Sequence, residues 1–162
     1  MTQEINFREI INDILNAPRR VKIKKLKKNA TIPTKANPTD AGYDLYACID
    51  KQVQIRAHTT EKIGTGVAIA PPHGYFGAIF PRSGLSTKQG LRPANCVGVC
   101  DEPYRGEYIV ALHNDTDLNQ YVNPGDRIAQ LVFLPYLDVN FEEVDVLDET
   151  DRGAGGFGST GK

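Results

Sequence analysis

With 162 residues, the chain is long enough to form one domain whose hydrophobic core needs no disulfide or metal to hold it together. Its 19 basic and 20 acidic residues leave a net charge of −1, which argues against a protein that coats nucleic acid or binds membranes through a polybasic patch. No apolar run approaches the roughly 18 residues of a membrane-spanning helix. We therefore expect no stable nucleic-acid or membrane binding.

Residues 1–20 are predicted to form a helical extension of the domain. Phe7, Ile10 and Ile14 recur at helical spacing among charged and polar residues. Pro18 disfavours continuation of this helix. The helix could dock on its own domain or bind a protein partner, and the sequence leaves both possibilities open.

The three cysteines, Cys48, Cys96 and Cys100, have no spacing typical of a disulfide framework. Cys96 and Cys100 form a C-x₃-C pair, but no second pair of cysteines or histidines accompanies it, which argues against a structural zinc. The first residues also lack the apolar core and cleavage site of a signal peptide. We therefore expect reduced thiols and a cytoplasmic protein.

From Val21 onward, apolar residues alternate with polar ones, and this period of two predicts β-strands. Turns rich in Pro, Gly, Asn and Asp separate the runs, as in an all-β sandwich, jelly roll or barrel. No long helical pattern lies between the runs, which argues against a parallel βαβ sheet. We assign this β domain to residues 21–145. Its clearest strand patterns are 21–24, 53–56, 75–80, 108–112 and 128–134.

Charge is unevenly distributed along the chain. Residues 19–28 hold seven basic residues and no acidic one, whereas residues 138–151 hold seven acidic residues and no basic one. Charge runs of this kind are usually solvated surfaces. The two segments could also attract each other, within one chain or between chains.

The C-terminal tail, residues 146–162, contains the glycine-rich run RGAGGFGSTG at 152–161. The run matches both the G-x-G-x-x-G and the G-x-x-x-x-G-K phosphate-binding patterns. Both patterns require a helix directly after the loop, and none is expected here because the sequence stops at Lys162. We therefore reject a Rossmann fold and a P-loop.

The residues set among these glycines still suit a phosphorylated ligand. Closely spaced glycine N–H groups can converge on an anion, and Arg152 can donate two hydrogen bonds to phosphate oxygens. Ser159 and Thr160 add hydroxyl donors, and Phe157 could stack on a nucleobase. We expect this tail to be mobile until a ligand orders it.

Five segments follow one another in order: DAGYDLYA at 40–47, PRSGLSTKQG at 81–90, ANCVGVCDEPYRGEY at 94–108, GDRIAQLVF at 125–133 and the glycine-rich run. Together they resemble the five motifs of the homotrimeric dUTPases. The resemblance implies a distorted antiparallel jelly roll that assembles as a homotrimer, with the tail of one chain closing an active site formed by the others. It also implies hydrolysis of dUTP to dUMP and pyrophosphate, with Mg²⁺ held by phosphates and waters rather than by protein ligands.

The third segment supplies the nucleoside contacts that the resemblance implies. Asp101 matches the residue that orients and deprotonates the attacking water, although composition alone would make it a turn residue. Tyr104 matches the aromatic that packs under the deoxyribose and leaves no room for a 2′-hydroxyl. Asn95 matches the reader of uracil, because an amide offers both a donor and an acceptor. The remaining uracil contacts are assigned to Gly98, Val99 and Ile109.

The other segments match residues that hold the triphosphate. Arg82, Ser83 and Gly84 offer a guanidinium, a hydroxyl and a flexible backbone N–H to phosphate oxygens. Gln130 interrupts an apolar run and needs a polar partner, either an α-phosphate oxygen or a neighbouring backbone group. In the tail, the matching residues are Arg152, Phe157, Gly158, Ser159 and Thr160. Two further residues are assigned to support the site from behind: Asp44 and Arg105.

Two alternatives to a dUTP diphosphatase remain. A dCTP deaminase shares the fold but requires a different catalytic set and lacks this glycine-rich end. A regulatory trimer that signals through its tail and its N-terminal helix is a second possibility, which the intact catalytic motifs do not favour but do not exclude.

Overall fold

A computed structural model of the chain describes residues 19–156. The helix predicted for residues 1–17 and the end of the tail, residues 157–162, lie outside this range. Within it, the chain forms eleven strands and one short helix. Their bounds are β1 Lys22–Lys25, β2 Tyr43–Tyr46, β3 Val53–Ile55, β4 Thr60–Gly64, β5 Val67–Ala70, β6 Tyr75–Phe80, α1 Ser83–Gln89, β7 Leu91–Pro93, β8 Gly98–Cys100, β9 Ile109–Asn114, β10 Gln120–Val122 and β11 Arg127–Pro135.

The strands form four antiparallel sheets, in the orders β2-β11-β6-β8, β4-β9-β7, β1-β5 and β10-β3. Most paired strands are distant in sequence, so the chain crosses repeatedly between sheets, as in a distorted jelly roll. The all-β fold predicted from the sequence is confirmed. The single helix in residues 19–156 is not long and apolar enough to cross a membrane.

The core follows from the alternation of side chains along each strand. In β9, Val110 and Leu112 are buried whereas Ile109 is exposed, because successive side chains point to opposite faces of a strand. The same rule places Leu131 of β11 in the core beside Leu45 of β2. The two-residue period that predicted these strands therefore also selects their buried face.

Asn114 is a polar residue inside this core, with none of its surface exposed. Its Nδ2 donates to the carbonyl oxygens of Ile55, Arg56 and Leu118 at 3.1, 3.1 and 2.7 Å. Its Oδ1 accepts from the backbone N–H and the hydroxyl of Thr116 at 3.0 and 2.8 Å. One side chain thus joins the end of β9 to two neighbouring segments.

Replacing Asn114 by alanine is expected to lower the free energy of unfolding by about 3 kcal/mol, because several buried polar groups lose their partner at once. Urea unfolding measures the change. Asn119→Ala is the control, because Asn119 is exposed and only accepts one hydrogen bond, from Ala57 N at 3.3 Å. Equal losses in the two variants would contradict the prediction.

The helix α1 was not predicted from the sequence. It has seven residues, which is too short for a helical pattern of apolar residues to stand out. Gly90 ends it in the left-handed conformation, with φ of 63°, and its backbone N–H donates to Ser86 O at 3.1 Å. The helix follows β6 directly and thereby places Arg82 at the end of that strand.

Beyond β11, residues 136–150 form an arm without helix or strand. Its apolar side chains are unusually exposed: Leu137, Phe141 and Leu147 have 84%, 97% and 82% of their surface accessible. Apolar and acidic residues alternate in this arm, which is a strand-like pattern without a strand partner. The last strand ends at Pro135, ten residues before the domain boundary at residue 145 that the sequence suggested.

Candidate active site

A cavity of about 220 Å³ lies between β8 and the start of β9. It brings together six of the residues that the sequence assigned to the nucleoside and the water: Asn95, Gly98, Val99, Asp101, Tyr104 and Ile109. Val99, Tyr104 and Ile109 remain 62%, 43% and 47% exposed, which is high for residues of this size. These side chains therefore form an open pocket rather than part of the core.

Asp101 follows directly after β8, whose pairing with β6 fixes the strand. It is exposed at the pocket, and its backbone C=O accepts from Tyr104 N at 3.0 Å in a tight turn. No hydrogen bond joins its carboxylate to any residue between 19 and 156. The carboxylate is thus free to accept a hydrogen bond from a water or a ligand.

Tyr104 is held in place by residues that the sequence analysis missed. Its hydroxyl donates to Glu107 O at 3.0 Å, and the Glu107 carboxylate accepts from Gly66 N at 2.7 Å. The buried Thr65 hydroxyl donates to Tyr108 O at 2.6 Å. Through these hydrogen bonds, Thr65 and Glu107 attach the loop that contains Tyr104 to the turn between β4 and β5. Nothing in the sequence separates them from ordinary turn residues.

Two buried groups lie beneath the pocket. The hydroxyl of Tyr108 is fully buried and meets no hydrogen-bonding geometry with any residue between 19 and 156, and the Cys100 thiol is its polar neighbour. Burial also raises the pKa of the Cys100 thiol to about 11. Cys100 is therefore a protonated, weakly nucleophilic thiol at neutral pH, although it adjoins Asp101.

A second cavity, of about 370 Å³ and mostly polar, collects the residues assigned to the phosphates. It lies where β11 runs between β2 and β6, so that Gln130 pairs with Asp44 on one side and with Phe80 on the other. Arg82 follows two residues after Phe80. The predicted residues that line it are Asp44, Arg82, Ser83, Gly84 and Gln130.

Asp44 joins two arginines in this cleft. Its Oδ1 accepts from Arg82 Nε at 2.8 Å, and its Oδ2 accepts from a terminal nitrogen of Arg127 at 3.1 Å. The Asp44 side chain is only 13% exposed, whereas that of Arg127 is 48% exposed. Arg127 was not assigned from the sequence, although it stands in the quoted segment GDRIAQLVF.

Of the two partners predicted for Gln130, the structure shows the neighbouring backbone group. Its Nε2 donates to Pro81 O at 2.9 Å, which is a backbone group directly before Arg82. A Cβ at Gly42 would lie 2.4 Å from Gln130 Oε1, so a larger residue there would displace the amide from its present position. Because Gln130 also lines the cleft, it braces the backbone at Pro81 while remaining next to the polar cavity.

The pocket and the cleft have no lining residue in common. A sequence model of the dUTPase family matches residues 28–161. The chain belongs to the dUTPase family.

Relatives cover nearly the whole length of this family domain. The deoxyuridine 5'-triphosphate nucleotidohydrolase of Desulfitobacterium hafniense is 49% identical over 145 residues, which cover 88% of this chain and 96% of that protein. The enzyme of the same name from Syntrophotalea carbinolica is 45% identical over 141 residues, covering 87% and 96%.

Solved dUTPase structures share the fold. The dUTPase of Staphylococcus bacteriophage 80alpha with dUPNHPP has a TM-score of 0.81 at 29% identity, and the alignment covers 90% of this chain and 100% of that one. A mutant dUTPase from phage phi11 of S. aureus, in which a structural Mg(II) ion is coordinated, has a TM-score of 0.71 at 27% identity, covering 79% and 98%.

Two arginines expected at a dUTPase site have backbone partners in this chain. Arg105 donates to Tyr104 O at 2.9 Å and to Glu102 O, so it braces the loop after Asp101 from outside. Arg152 is exposed and donates to Gly155 O at 3.0 Å within the tail, and it lines neither the pocket nor the cleft. The predicted contacts at Phe157, Gly158, Ser159 and Thr160 lie outside the described residues.

The side chains of residues 19–156 that could bind a metal directly are scattered. No group of three His, Cys, Asp or Glu residues in this range lies close enough to hold a metal ion. The cleft offers guanidinium, hydroxyl, amide and backbone N–H donors to phosphate oxygens, and its two carboxylates, Asp40 and Asp44, already accept hydrogen bonds from Asn37, Arg82 and Arg127.

Proposed function

We propose that the protein hydrolyses dUTP to dUMP and pyrophosphate by attack of a water molecule on the α-phosphorus. The observation that carries this proposal is the pocket in which Asp101 lies beside Asn95 and Tyr104. A carboxylate, an amide and an exposed aromatic ring at one pocket supply the three functions the reaction needs. The family membership of the chain supports the same activity.

In this proposal, Asp101 orients the water and takes up its proton. Its carboxylate has no hydrogen bond within the described residues, so both oxygens are available for the water. Asn95 reads the edge of uracil together with backbone groups at Gly98, Val99 and Ile109, and close packing of these residues on the bound base would exclude the methyl group of thymine. The Tyr104 ring packs under the deoxyribose and leaves no space for a 2′-hydroxyl.

The polar cleft is proposed to hold the triphosphate. Arg82 and Arg127 supply positive charge, Ser83 and Gly84 supply further donors, and Asp44 keeps both guanidinium groups in fixed positions. Mg²⁺ is the proposed cofactor, bound to phosphate oxygens and waters, where it would neutralise charge and align the triphosphate.

The tail is proposed to close the site once the nucleotide has bound. Arg152 is exposed and is free to turn its guanidinium toward a phosphate. The resemblance to the family assigns the remaining contacts to Phe157, Gly158, Ser159 and Thr160, which would stack on the base and donate to the phosphates.

A homotrimer is the proposed functional unit. The pocket and the cleft share no lining residue, as expected if each site combines the pocket of one chain with the cleft of another. The arm at 136–150 exposes apolar residues that a neighbouring chain could cover. Strand β1 pairs only with β5 among the described strands, and its exposed lysines suit the acidic arm of a neighbour.

Truncation separates the role of the arm in assembly from that of the tail. Removal of residues 137–162 is expected to give a monomer in sedimentation analysis, because the exposed apolar arm is lost. Removal of residues 152–162 alone is expected to leave the trimer intact while abolishing most dUTP turnover. A trimer that persists without the whole arm would contradict this assembly.

Three free cysteines, two of them buried, also support an intracellular, reducing location for this enzyme. The relevant thiols are Cys48 and Cys100 in the core and Cys96 on the surface. We propose that its substrate, a free nucleotide, is present in the same intracellular compartment.

Pyrophosphate release from dUTP, dTTP, dCTP and UTP tests the proposed function. We expect turnover of dUTP alone, because the pocket excludes the thymine methyl group, the cytosine donor pattern and the 2′-hydroxyl. Deamination of dCTP would point to a dCTP deaminase instead. Comparable rates on all four nucleotides would overturn the specificity argument.

A further inference from the structure

Glu102, the residue directly after Asp101, has an unusually well anchored carboxylate. Its Oε2 accepts from Gly74 N at 2.9 Å and from the Tyr136 hydroxyl at 2.8 Å. Its Oε1 accepts from His73 Nδ1 at 3.0 Å. None of these three donors belongs to the loop that carries Asp101, so the carboxylate ties this loop to two other parts of the chain.

The two segments meet at one end of the four-stranded sheet. Gly74 lies in the turn before β6, and Tyr136 is the first residue of the arm after β11. Tyr136 N also donates to Gly74 O at 3.1 Å, which joins these two segments to each other. Because β6 pairs with both β8 and β11, the turn, the arm and the loop after β8 converge on Glu102.

Hydrogen bonding keeps this carboxylate ionised. The backbone N–H of Gly74 lowers the pKa of Glu102 most, and His73 and Tyr136 lower it further, to about 2. The hydrogen bond between Tyr136 and Glu102 also raises the pKa of the Tyr136 hydroxyl, because the carboxylate stabilises the protonated hydroxyl as a donor. The three bonds are made to a charged acceptor, which strengthens them.

Asp101 depends on this anchor more than a typical catalytic carboxylate would. None of the residues from 19 to 156 makes a hydrogen bond to its side chain, so its position is determined by the backbone on either side. Cys100 on one side belongs to β8. On the other side, Glu102 is held by its own carboxylate and by Arg105, which donates to Glu102 O.

We propose that Glu102 is a positioning residue that holds Asp101 at the attacking water and joins the loop of Asp101 to the first residue of the arm, Tyr136. This inference rests on the proposed function, in which Asp101 acts on the water. A catalytic group displaced by about 1 Å can lose about 100-fold in rate, so the anchor matters for turnover even though Glu102 does not line the pocket with Asn95 and Tyr104. The effect belongs to kcat rather than to nucleotide affinity, because Asn95 and the phosphate cleft are untouched.

The variant Glu102→Gln tests this role. Its amide nitrogen faces donors where the carboxylate accepted, so at least one of the bonds to Gly74, His73 and Tyr136 is lost. We expect kcat for dUTP to fall by about 10- to 100-fold, with KM and the affinity for dUMP within about twofold of the wild type. The thermal unfolding temperature is measured in parallel.

Two further variants sharpen the result. Tyr136→Phe removes one donor without changing the charge, and we expect a smaller loss of kcat that does not add to that of Glu102→Gln in the double variant. Asp117→Asn is the control, because Asp117 and His58 form a similar carboxylate–histidine contact of 2.8 Å and line neither the pocket nor the cleft. We expect the control to keep the wild-type kcat.

Each outcome is decisive. An unchanged kcat in Glu102→Gln would overturn the inference, as would a loss explained entirely by a smaller folded fraction. If Glu102→Gln does not fold, an unchanged kcat in Tyr136→Phe would overturn it in the same way. Absence of dUTP turnover in the wild type would overturn the proposed function itself, which distinguishes the two failures.

Discussion

Replacing Asp101 by asparagine is expected to lower kcat for dUTP by about 1000-fold, with little change in stability or in the affinity for a non-hydrolysable dUTP analogue. Asparagine keeps the size of the side chain but cannot take a proton from the water, and proton transfer by a positioned group is worth about 10²- to 10⁴-fold. Because Asp101 is exposed and its side chain makes no hydrogen bond within residues 19–156, the fold does not depend on it. Single-turnover pyrophosphate release and analogue titration measure the two quantities.

Asp50→Asn provides the matched control for this prediction. Asp50 is an exposed acid in the bend after β2, and it lines neither the pocket nor the cleft. The two variants make the same change in net charge, so a general electrostatic effect would appear in both. Wild-type turnover in Asp101→Asn would remove Asp101 from the catalytic role.

Replacing Asp44 by asparagine is expected to lower kcat/KM for dUTP by about 100-fold. The neutral amide has one acceptor oxygen where the carboxylate had two, so Arg82 and Arg127 cannot both be held. Removing one partner from a largely buried ion pair costs several kcal/mol, and a shift of about 1 Å in a guanidinium is costly for a phosphate clamp. We expect dUMP affinity to change much less, because only the α-phosphate of the triphosphate remains in dUMP.

Asp40→Asn tests whether the arginine contacts cause this loss. Asp40 lines the same cleft, but its carboxylate accepts from Asn37 N at 2.8 Å rather than from an arginine. A much smaller loss is therefore expected in Asp40→Asn. Equal losses in the two variants, or an equal loss of dUMP affinity in Asp44→Asn, would show that Asp44 acts on the whole structure and not on the triphosphate.

Local patterns in the sequence were sufficient for the fold class, whereas the candidate site residues were predicted from the resemblance of five segments to a family. The run Tyr75–Phe80 was predicted as a strand and forms β6 with the same bounds, because alternation and turn residues are both local signals. Asp101 is different. It looks like a turn residue until the whole segment ANCVGVCDEPYRGEY is compared with a family, so its role was inferred from a motif and not from its own chemistry.

Other contacts depend on strand pairing between distant segments. Asp44 and Arg127 are 83 residues apart and Glu102 and Tyr136 are 34 apart, and no local pattern connects either pair. Arg127 and Glu102 were both present in quoted segments, yet nothing in those segments indicated what they would touch. The contacts of both residues depend on the order of the strands in the sheet, in which β11 lies between β2 and β6.

The sequence by itself indicated the family, the antiparallel β fold, the acidic run near the C-terminus and the residues proposed to contact the nucleotide. Only the tertiary structure decided that these residues divide into a pocket and a cleft with no residue in common, and that Glu102 and Asp44 hold the two in shape. The physical reason is that side-chain alternation is a property of a short stretch of chain. Which strands pair, and in what register, depends on the packing of the whole core, and this pairing brings distant side chains into hydrogen-bonding distance. The near-zero net charge noted first is therefore compatible with a polyanionic ligand, because three-dimensional pairing concentrates Arg82 and Arg127 at one place.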